Sequence, residues 1–375
     1  MVDIVSEDMK VHNFAISNQK LKIDQMSYDT FSIKSAYKDY SVVFDQSVQW
    51  QTINQYCDKN DVLLIDRNVF NLYSDRIKHD KDRTCIIDAA EDSKTIRGVL
   101  DVVDFLNRLG ITKGEKLVVA GGGITQDIGA FVAASYKRGI NWVLLPTTLL
   151  SMCDSCIGGK TGINYNNVKN QLALFASPTH VVINTNFIKT LHIRDINSGM
   201  GEILKLCLLG GQYFVDLYND LVIDGEVKFF KNYKDLIVNS LYIKKAIVEE
   251  DEFEFDIRKS LNYGHTVGHA IETLTNYEIP HGQAVAIGMQ IVNYLSGYGD
   301  LIVKKNIDDL IKNKDVLKSI NFSSLADLVK KDKKTIGNNA TFVLLQDPGN
   351  TFFKSIAIDD ILIKEIKDAL NETIS

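Results

Sequence analysis

The feature that most limits the possible folds is an alternation of short apolar runs with helical patterns between about residues 36 and 195. The runs YSVVF, DVLLID, TCIID, KLVVAGGG, INWVLLP and HVVINT read as strands, and segments such as QDIGAFVAASYKRG read as helices between them. Strands that are almost continuously apolar are typical of parallel sheets with helices on both faces. The sequence therefore predicts a doubly wound α/β domain at 36–195.

Long helical patterns dominate after residue 195, for example SGMGEILKLCLL and GQAVAIGMQIVNYLSGYG. They predict a mostly α-helical second domain at 196–375. The first 35 residues are polar and only weakly patterned, so we interpret 1–35 as an N-terminal extension, with an edge strand as the alternative.

Charge and cysteine usage limit the functional classes. The 375 residues carry a net charge of −6, which argues against a general nucleic-acid or anionic-membrane surface. The N-terminus shows no secretory pattern and the apolar runs are too short to span a bilayer, so we expect a cytoplasmic protein. Five scattered cysteines suit reduced thiols. The CxxC pair, Cys153 and Cys156, is interpreted as buried packing rather than as a redox or zinc site.

A triple glycine follows one predicted strand, in VVAGGGITQDIG at 118–129. Glycines let backbone amides approach a diphosphate closely, and the start of a helix favours negative charge. The pattern is not GxGxxG, so a plain tight turn is the alternative. Other strand ends and turns offer candidates for binding phosphate or ribose, namely Asp66, Asn68, Glu91, Lys94, Thr147 and Thr148.

The motif NYGHTVGHAIE places His265 and His269 four residues apart on one helix face, and His281 opens the next helical pattern. Glu202, in GMGEILK, can join them from a facing helix. Two histidines and a carboxylate leave one position open for a substrate oxygen, which is typical of a catalytic zinc site, and cobalt suits the same ligands. The spacing leaves open whether His269 is a ligand or a proton donor. For each histidine alone, the alternative is an ordinary hydrogen-bonded helix residue.

Lysines and arginines gather in the same segments, against the acidic balance of the whole chain. They are Arg138, Lys160, Lys169, Lys205, Lys244 and Arg258. Each of them alone is as easily a solvated surface residue. Together they favour a pocket that binds a phosphate or a carboxylate.

Taken together, several segments closely resemble the sugar phosphate cyclase family, and within it the 3-dehydroquinate synthases. They are GGGITQDIGAFVAASYKRG, PTTLLSMCDSCIGGKTGIN, VKN, GMGEILK and RKSLNYGHTVGHAIE with HGQAVAIGM, and they extend from about residue 60 to residue 335. The resemblance implies a Rossmann-like NAD-binding domain followed by a helical domain that carries zinc. It also implies a homodimer in which Arg138 reaches the neighbouring subunit's site.

The same resemblance assigns roles to individual residues. The metal ligands are Glu202, His265 and His281, and His269 becomes a substrate residue rather than a ligand. The NAD-binding residues are Asp66, Asn68, Glu91, Lys94, Gly122, Gly123, Asp127, Thr147, Thr148, Lys169, Thr190 and Leu191. The catalytic set is Asp154, Lys160, Asn170, Lys205 and His269, and the substrate-binding set is Arg138, Lys244, Arg258, Asn262 and Lys334, with Lys333 as the alternative to Lys334.

The implied reaction starts from 3-deoxy-arabino-heptulosonate 7-phosphate. NAD transiently oxidises a ring hydroxyl, phosphate is eliminated, the hydride returns, and an intramolecular aldol step closes the ring of 3-dehydroquinate. The resemblance assigns the substrate carboxylate to Lys244 and Arg258. Among the departures from the usual family pattern are Gln126 in place of glycine and Cys156 in place of serine.

Three alternatives stay open. The first is a cyclase for another phosphorylated ulosonic acid or for sedoheptulose 7-phosphate. The second is a metal-dependent alcohol dehydrogenase of the glycerol dehydrogenase type, although an uncharged polyol does not require the cluster of lysines and arginines. The third is a non-catalytic scaffold, although a scaffold does not require the metal-binding residues.

Overall fold

The computed structural model describes residues 11–374 except 25, 167, 313, 319, 332–334 and 337. The chain divides into two compact units, one formed by residues 28–200 and the other by residues 201–375 together with the N-terminal residues up to 27. The segment interpreted as an N-terminal extension therefore contributes to a folded unit. It supplies two antiparallel strands, β1 (His12–Ile16) and β2 (Gln19–Ile23).

The unit of residues 28–200 is an α/β domain built on a seven-stranded sheet. Its strands are β3 (Thr30–Ile33), β4 (Tyr40–Phe44), β5 (Val62–Asp66), β6 (Thr84–Ile87), β7 (Leu117–Gly121), β8 (Trp142–Pro146), β9 (Lys160–Tyr165), β10 (Val168–Phe175) and β11 (His180–Ile183). Its α-helices are α1 (Gln49–Tyr56), α2 (Arg67–Tyr73), α3 (Ile96–Arg108) and α4 (Gly123–Ser135). The strand order in the sheet is β3-β4-β11-β8-β7-β5-β6, and β9 and β10 form a separate hairpin.

All neighbouring strands of this sheet are parallel except the pair β3 and β4. Strands β5, β7 and β8 are buried along their whole length, as their unbroken apolar sequences require. The prediction of a doubly wound α/β domain is confirmed.

The strand order reverses between β5 and β7. The chain passes from β5 to β6 on one side of β5, and then returns to place β7 on the other side. In open α/β sheets, ligands bind at such a reversal, outside the carboxyl ends of the strands. Asp66 ends β5 and Gly122 follows β7, so two predicted cofactor residues flank this position.

The second unit is rich in helices, as predicted. Its helices are α5 (Ile193–Gly210), which begins before the division at residue 200, α6 (Gln212–Leu221), α7 (Asn232–Glu250), α8 (His265–Leu274), α9 (His281–Ser296), α10 (Leu301–Leu310), α11 (Lys314–Leu317), α12 (Phe322–Lys331) and α13 (Asp360–Ile374). Its further strands are β12 (Val222–Ile223), β13 (Glu226–Val227), β14 (Thr335–Ile336), β15 (Asn339–Asp347) and β16 (Asn350–Ala357). A five-stranded sheet with the order β14-β15-β16-β1-β2 joins the two ends of the chain.

In the part of the chain that the structure describes, no helix combines the length and the apolar character needed to cross a membrane.

Candidate active site

Glycines bring three helices of the second unit unusually close together. A Cβ atom on Gly288 of α9 would lie 1.8 Å from the carbonyl oxygen of Gly264, the residue that caps α8. A Cβ atom on Gly201 of α5 would lie 2.2 Å from the carbonyl oxygen of Gly282. Gly264 also has a φ of +77°, which a residue with a side chain adopts only with strain. These contacts set α5 and the first turns of α8 and α9 side by side.

The close approach gathers the predicted metal ligands. The Glu202 Oε1 atom lies 3.5 Å from His265 Nε2 and 3.3 Å from His281 Nε2. The ring of His269 lies 5.2 Å from that of His265 and 5.6 Å from that of His281, measured between centroids. The nitrogen donors of the three histidines lie within 4.8 Å of one another. Glu202 is 1% exposed whereas His269 is exposed, so the cluster opens to the surface on the His269 side.

Hydrogen bonds on the far side of each ring orient two of these imidazoles. His265 Nδ1 lies 3.1 Å from the Tyr263 carbonyl oxygen, and His281 Nδ1 lies 3.2 Å from Glu272 Oε2. Both partners accept, so each Nδ1 carries a proton, and in the neutral form of each ring the Nε2 lone pair faces Glu202. Two lone pairs and a carboxylate that converge on one point form a donor set for a cation.

The surroundings of His281 are strongly negative. Burial alone lowers the pKa of its imidazole, but the hydrogen bonds and negative charges of Glu202 and Glu272 raise it to about 10. The two carboxylates therefore favour a positive charge at this position, which the imidazolium supplies when no cation is bound.

Lys205 lies directly beside the carboxylate of this cluster. Its Nζ is 2.5 Å from Glu202 Oε2 and 3.1 Å from the Leu261 carbonyl oxygen, and the residue is 1% exposed. A fully buried ammonium group is costly and is found where it is paired or used. The structure thus places one predicted catalytic cation next to the predicted metal ligands.

Other predicted substrate residues of this unit lie on α7 and on the turn before α8. Lys244 and Arg258 are both buried. The Arg258 guanidinium donates to the Glu252 carbonyl oxygen, and its backbone N–H donates to Asp251 Oδ2 over 3.0 Å. Asn262 donates from Nδ2 to Glu254 Oε1 over 3.0 Å.

In the sheet unit, Lys94 is the centre of a polar network. Its Nζ lies 3.0 Å from Asp127 Oδ2, 2.8 Å from Asn170 Oδ1 and 3.8 Å from Glu91 Oε1. Lys169 Nζ lies 3.9 Å from the same Glu91 oxygen. Burial raises the pKa of the Asp127 carboxyl, although the charge of Lys94 works against the rise. The structure therefore unites five residues that the sequence analysis selected separately.

The glycine-rich turn leads into α4 at the carboxyl end of β7. Gly122 caps the helix, and a Cβ atom there would lie 2.8 Å from Thr148 Cγ2. A Cβ atom on Gly123, the first residue of α4, would have no neighbour within 4 Å, so there is open space beside this residue. Thr147 donates its backbone N–H to Gly121 over 3.0 Å, which fixes the adjacent turn. The arrangement suits an anion such as a diphosphate.

Four further predicted cofactor residues lie at strand or helix ends. Asp66 caps α2, because its Oδ1 accepts the backbone N–H of Asn68 over 2.7 Å. Thr190 Oγ1 lies 3.5 Å from the Tyr73 hydroxyl, and Leu191 ends the same short helical segment with an N–H bond to Ile188. These contacts account for the local structure of Asp66 and Thr190 whether or not they bind a cofactor.

The remaining described residues of the predicted set lie on separate elements. Arg138 is exposed, in a left-handed conformation with a φ of +63°. Asp154 lies in a π-helix at Ser151–Ser155, and Lys160 begins β9. Lys334 and its alternative Lys333 lie outside the described residues.

Sequence reasoning missed Glu272, which binds the His281 imidazole. Its position is seven residues after His265 and three after His269, so it shares their helix face. This spacing from the two histidines is the sequence signal that could have identified Glu272. Asn164, which donates from Nδ2 to Glu91 Oε1 over 2.8 Å, was also missed, and the chain offers no local pattern for it.

Known sequences resemble this one over most of its length. The family descriptions for the 3-dehydroquinate synthase N-terminal and C-terminal domains match residues 84–198 and 199–335. A 3-dehydroquinate synthase of Streptococcus equi subsp. equi (strain 4047) is 32% identical over 359 residues, which cover 91% of this chain and 99% of that protein. A 3-dehydroquinate synthase of Alkaliphilus metalliredigens (strain QYMF) is 35% identical over 305 residues, covering 77% and 84%.

Solved structures with the same fold include a 2-deoxy-scyllo-inosose synthase in complex with carbaglucose-6-phosphate, NAD+ and Co2+. It has a TM-score of 0.77 and 21% identity, and the match covers 92% of this chain and 99% of that one. A 2-epi-5-epi-valiolone synthase from Streptomyces hygroscopicus subsp. jinggangensis 5008, with NAD+ and Zn2+ bound, has a TM-score of 0.70 and 24% identity, covering 91% and 98%. A probable glycerol dehydrogenase from Sinorhizobium meliloti 1021 has a TM-score of 0.63 and 14% identity, covering 88% and 96%.

The fold is thus the one shared by dehydroquinate synthase-like cyclases and metal-dependent alcohol dehydrogenases. The sequence matches decide between these groups. The chain belongs to the 3-dehydroquinate synthase family, and it is an enzyme of that phosphate-eliminating lyase type.

Proposed function

We propose that this enzyme converts 3-deoxy-arabino-heptulosonate 7-phosphate to 3-dehydroquinate and phosphate, with NAD and one divalent metal ion, zinc or cobalt. The observation that carries the proposal is the converging donor set of Glu202, His265 and His281 with the buried Lys205 beside it. Family membership supports the reaction type, since the matched relatives are named 3-dehydroquinate synthases.

The residues fit the two groups that the reaction needs. Two imidazole nitrogens and a carboxylate suit zinc and leave room for a substrate oxygen. The open space beside Gly123, at the reversal of the strand order, suits the diphosphate of NAD. When bound, the metal lowers the pKa of a coordinated hydroxyl and NAD accepts and returns a hydride.

The protein's own side chains then bind and orient the substrate. We assign the substrate carboxylate to Lys244 and Arg258, because both are buried cations and a carboxylate pairs well with a guanidinium fork. His269 is exposed beside the metal ligands and is assigned to the substrate rather than to the metal. Asp154, Lys160, Asn170 and Lys205 are assigned to acid–base work and to holding the phosphate as the leaving group. Asn262 and Lys334 complete the proposed substrate-binding set.

In the other unit, we assign NAD to the network around Lys94 and to the strand ends that carry it. The network supplies Glu91, Lys94, Asp127 and Lys169. The proposed set also contains Asp66, Asn68, Gly122, Gly123, Thr147, Thr148, Thr190 and Leu191.

We also propose that the enzyme acts as a homodimer with Arg138 in the neighbouring subunit's site. Arg138 follows Lys137, and both have positive φ values, of +63° and +50° respectively. A strained backbone at an exposed residue is retained where surrounding structure or function requires it.

A dehydrogenase of the glycerol dehydrogenase type is the second candidate. It is favoured by the similarity of this fold to that of the probable glycerol dehydrogenase from Sinorhizobium meliloti 1021. The cluster of Lys205, Lys244 and Arg258 argues against it, because binding an uncharged polyol does not require several cations.

Phosphate release from a panel of sugar phosphates tests the proposal. The purified enzyme with NAD and zinc is expected to release phosphate from the heptulosonate 7-phosphate and not from sedoheptulose 7-phosphate or glucose 6-phosphate, which lack the carboxylate. Release from sedoheptulose 7-phosphate alone would assign the enzyme to a different cyclase reaction.

Replacement of the central lysine of the sheet unit tests the NAD assignment. In Lys94→Met, Asp127 loses its ion pair with a buried lysine, and we expect the affinity for NAD to fall about tenfold to a hundredfold. Calorimetric titration with NAD measures the change. Lys81→Met, an exposed lysine before β6, is the matched control and should bind NAD like the wild type.

Glu272→Gln tests the outer support of the metal site. The amide keeps the hydrogen bond to His281 Nδ1 but removes the negative charge, so zinc affinity is expected to fall about tenfold. Competition with a chromogenic chelator measures this affinity without any turnover. Glu365→Gln, at an exposed position on α13, is the control. Equal zinc affinities in the two variants would show that Glu272 does not support the metal site.

A further inference from the structure

The π-helix that carries Asp154 is held at its start by side-chain hydrogen bonds. Thr148 Oγ1 and Ser151 Oγ lie 2.8 Å apart, and the Ser151 backbone N–H donates to Thr148 Oγ1 over 3.2 Å. Met152 and Cys153, within the same turn, are fully buried. Single π-turns are rare and concentrate at functional sites, where they redirect a side chain.

The end of this π-helix is held by a residue from another helix, Gln126 of α4. Gln126 Nε2 donates to the Ser155 carbonyl oxygen over 2.7 Å, and Ser155 Oγ donates back to Gln126 Oε1 over 2.9 Å. The side chain is 5% exposed, so water competes little with either bond. The two bonds use both ends of the amide, and only one orientation of the amide satisfies them.

Gln126 lies in α4 next to Asp127, a residue of the proposed NAD site. Its neighbour Asp127 pairs with Lys94, whereas Gln126 reaches the π-helix. Helix α4 itself starts at Gly123, directly after the glycine-rich turn. One rigid helix therefore ties the proposed NAD residues to the segment that carries Asp154.

We propose that Gln126 is a positioning residue, which fixes the direction of Asp154 by its paired hydrogen bonds to Ser155. The proposal rests on the proposed function, in which Asp154 acts on the substrate. The last carbonyl groups of a helix lack donors within the helix, so the Gln126 amide supplies one at the residue after Asp154. Without it, the turn is free to relax toward ordinary helical geometry, and Asp154 leaves the backbone in another direction.

The test compares Gln126→Met, which keeps the length of the side chain, with the exposed Gln55→Met of α1. For phosphate release, kcat is expected to fall about tenfold in Gln126→Met, while KM and the Kd of NAD stay within twofold. Ser155→Ala is expected to lower kcat as well, and the double variant should be no slower than Gln126→Met. Gln55→Met should match the wild type. A kcat of Gln126→Met within twofold of the wild type would overturn the proposal.

An Asp154→Asn background shows whether Gln126 acts through Asp154. There, Gln126→Met should change the residual kcat by less than twofold, and an undiminished tenfold effect would contradict the positioning role. Hydrogen exchange of the backbone amides at 151–157 provides a readout that needs no turnover, so it decides even if the wild type proves inactive on this substrate. Faster exchange in Gln126→Met than in Gln55→Met supports the role, and equal exchange overturns it.

Discussion

Glu202→Gln is expected to abolish tight zinc binding and to lower phosphate release at least about a thousandfold, because a catalytic metal supplies several kcal/mol of barrier reduction and each 1.4 kcal/mol is tenfold. The Glu202 carboxylate is the anionic group that lies close to both His265 Nε2 and His281 Nε2. An amide keeps the shape of the side chain but not its charge. Metal content measured by atomic emission, beside kcat, gives the two readouts.

Glu365→Gln is the matched control for this experiment as well, since Glu365 is an exposed glutamate on α13. Circular dichroism of both variants shows that the helices are retained. A Glu202→Gln enzyme with full zinc content and wild-type turnover would contradict the metal assignment.

Lys244→Met is expected to lower kcat/KM for the heptulosonate substrate about a hundredfold. The lysine is buried on α7, and a charge-assisted hydrogen bond to a carboxylate contributes about 1.5–3 kcal/mol. Methionine has a similar length and packs in an apolar setting, so the fold is expected to tolerate the change.

The adjacent residue provides the control. Lys245 lies on the same helix and is half-buried, and its Nζ pairs with Glu249 Oε2 over 2.5 Å. Lys245→Met should therefore leave kcat/KM within twofold of the wild type. Equal losses of kcat/KM in Lys244→Met and Lys245→Met would show that Lys244 does not bind the substrate carboxylate.

Local sequence patterns predicted most of the fold and part of the candidate site. The apolar runs predicted the buried strands β5, β7 and β8, because a strand covered on both faces needs an unbroken apolar sequence. The spacing of His265 and His269 predicted a shared helix face, because it follows the helical repeat.

Local sequence patterns do not predict contacts between segments that are distant in the chain. Strand β1 pairs with β16 across more than three hundred residues, so the weak pattern of the N-terminus gave no sign of its partner. The contact of Lys94 with Asn170 and that of Gln126 with Ser155 likewise depend on tertiary packing. The resemblance to a family selected Lys94 and Asn170 individually, but only the folded chain shows that they touch.

Parallel measurement of phosphate and NADH in one reaction tests the proposed function most directly. With the wild-type enzyme, zinc, NAD and the heptulosonate 7-phosphate, we expect phosphate to accumulate over many turnovers while absorbance at the NADH band stays flat, because the hydride returns within each cycle. Steady accumulation of NADH without phosphate, from this substrate or from glycerol, would contradict the cyclase and establish a dehydrogenase.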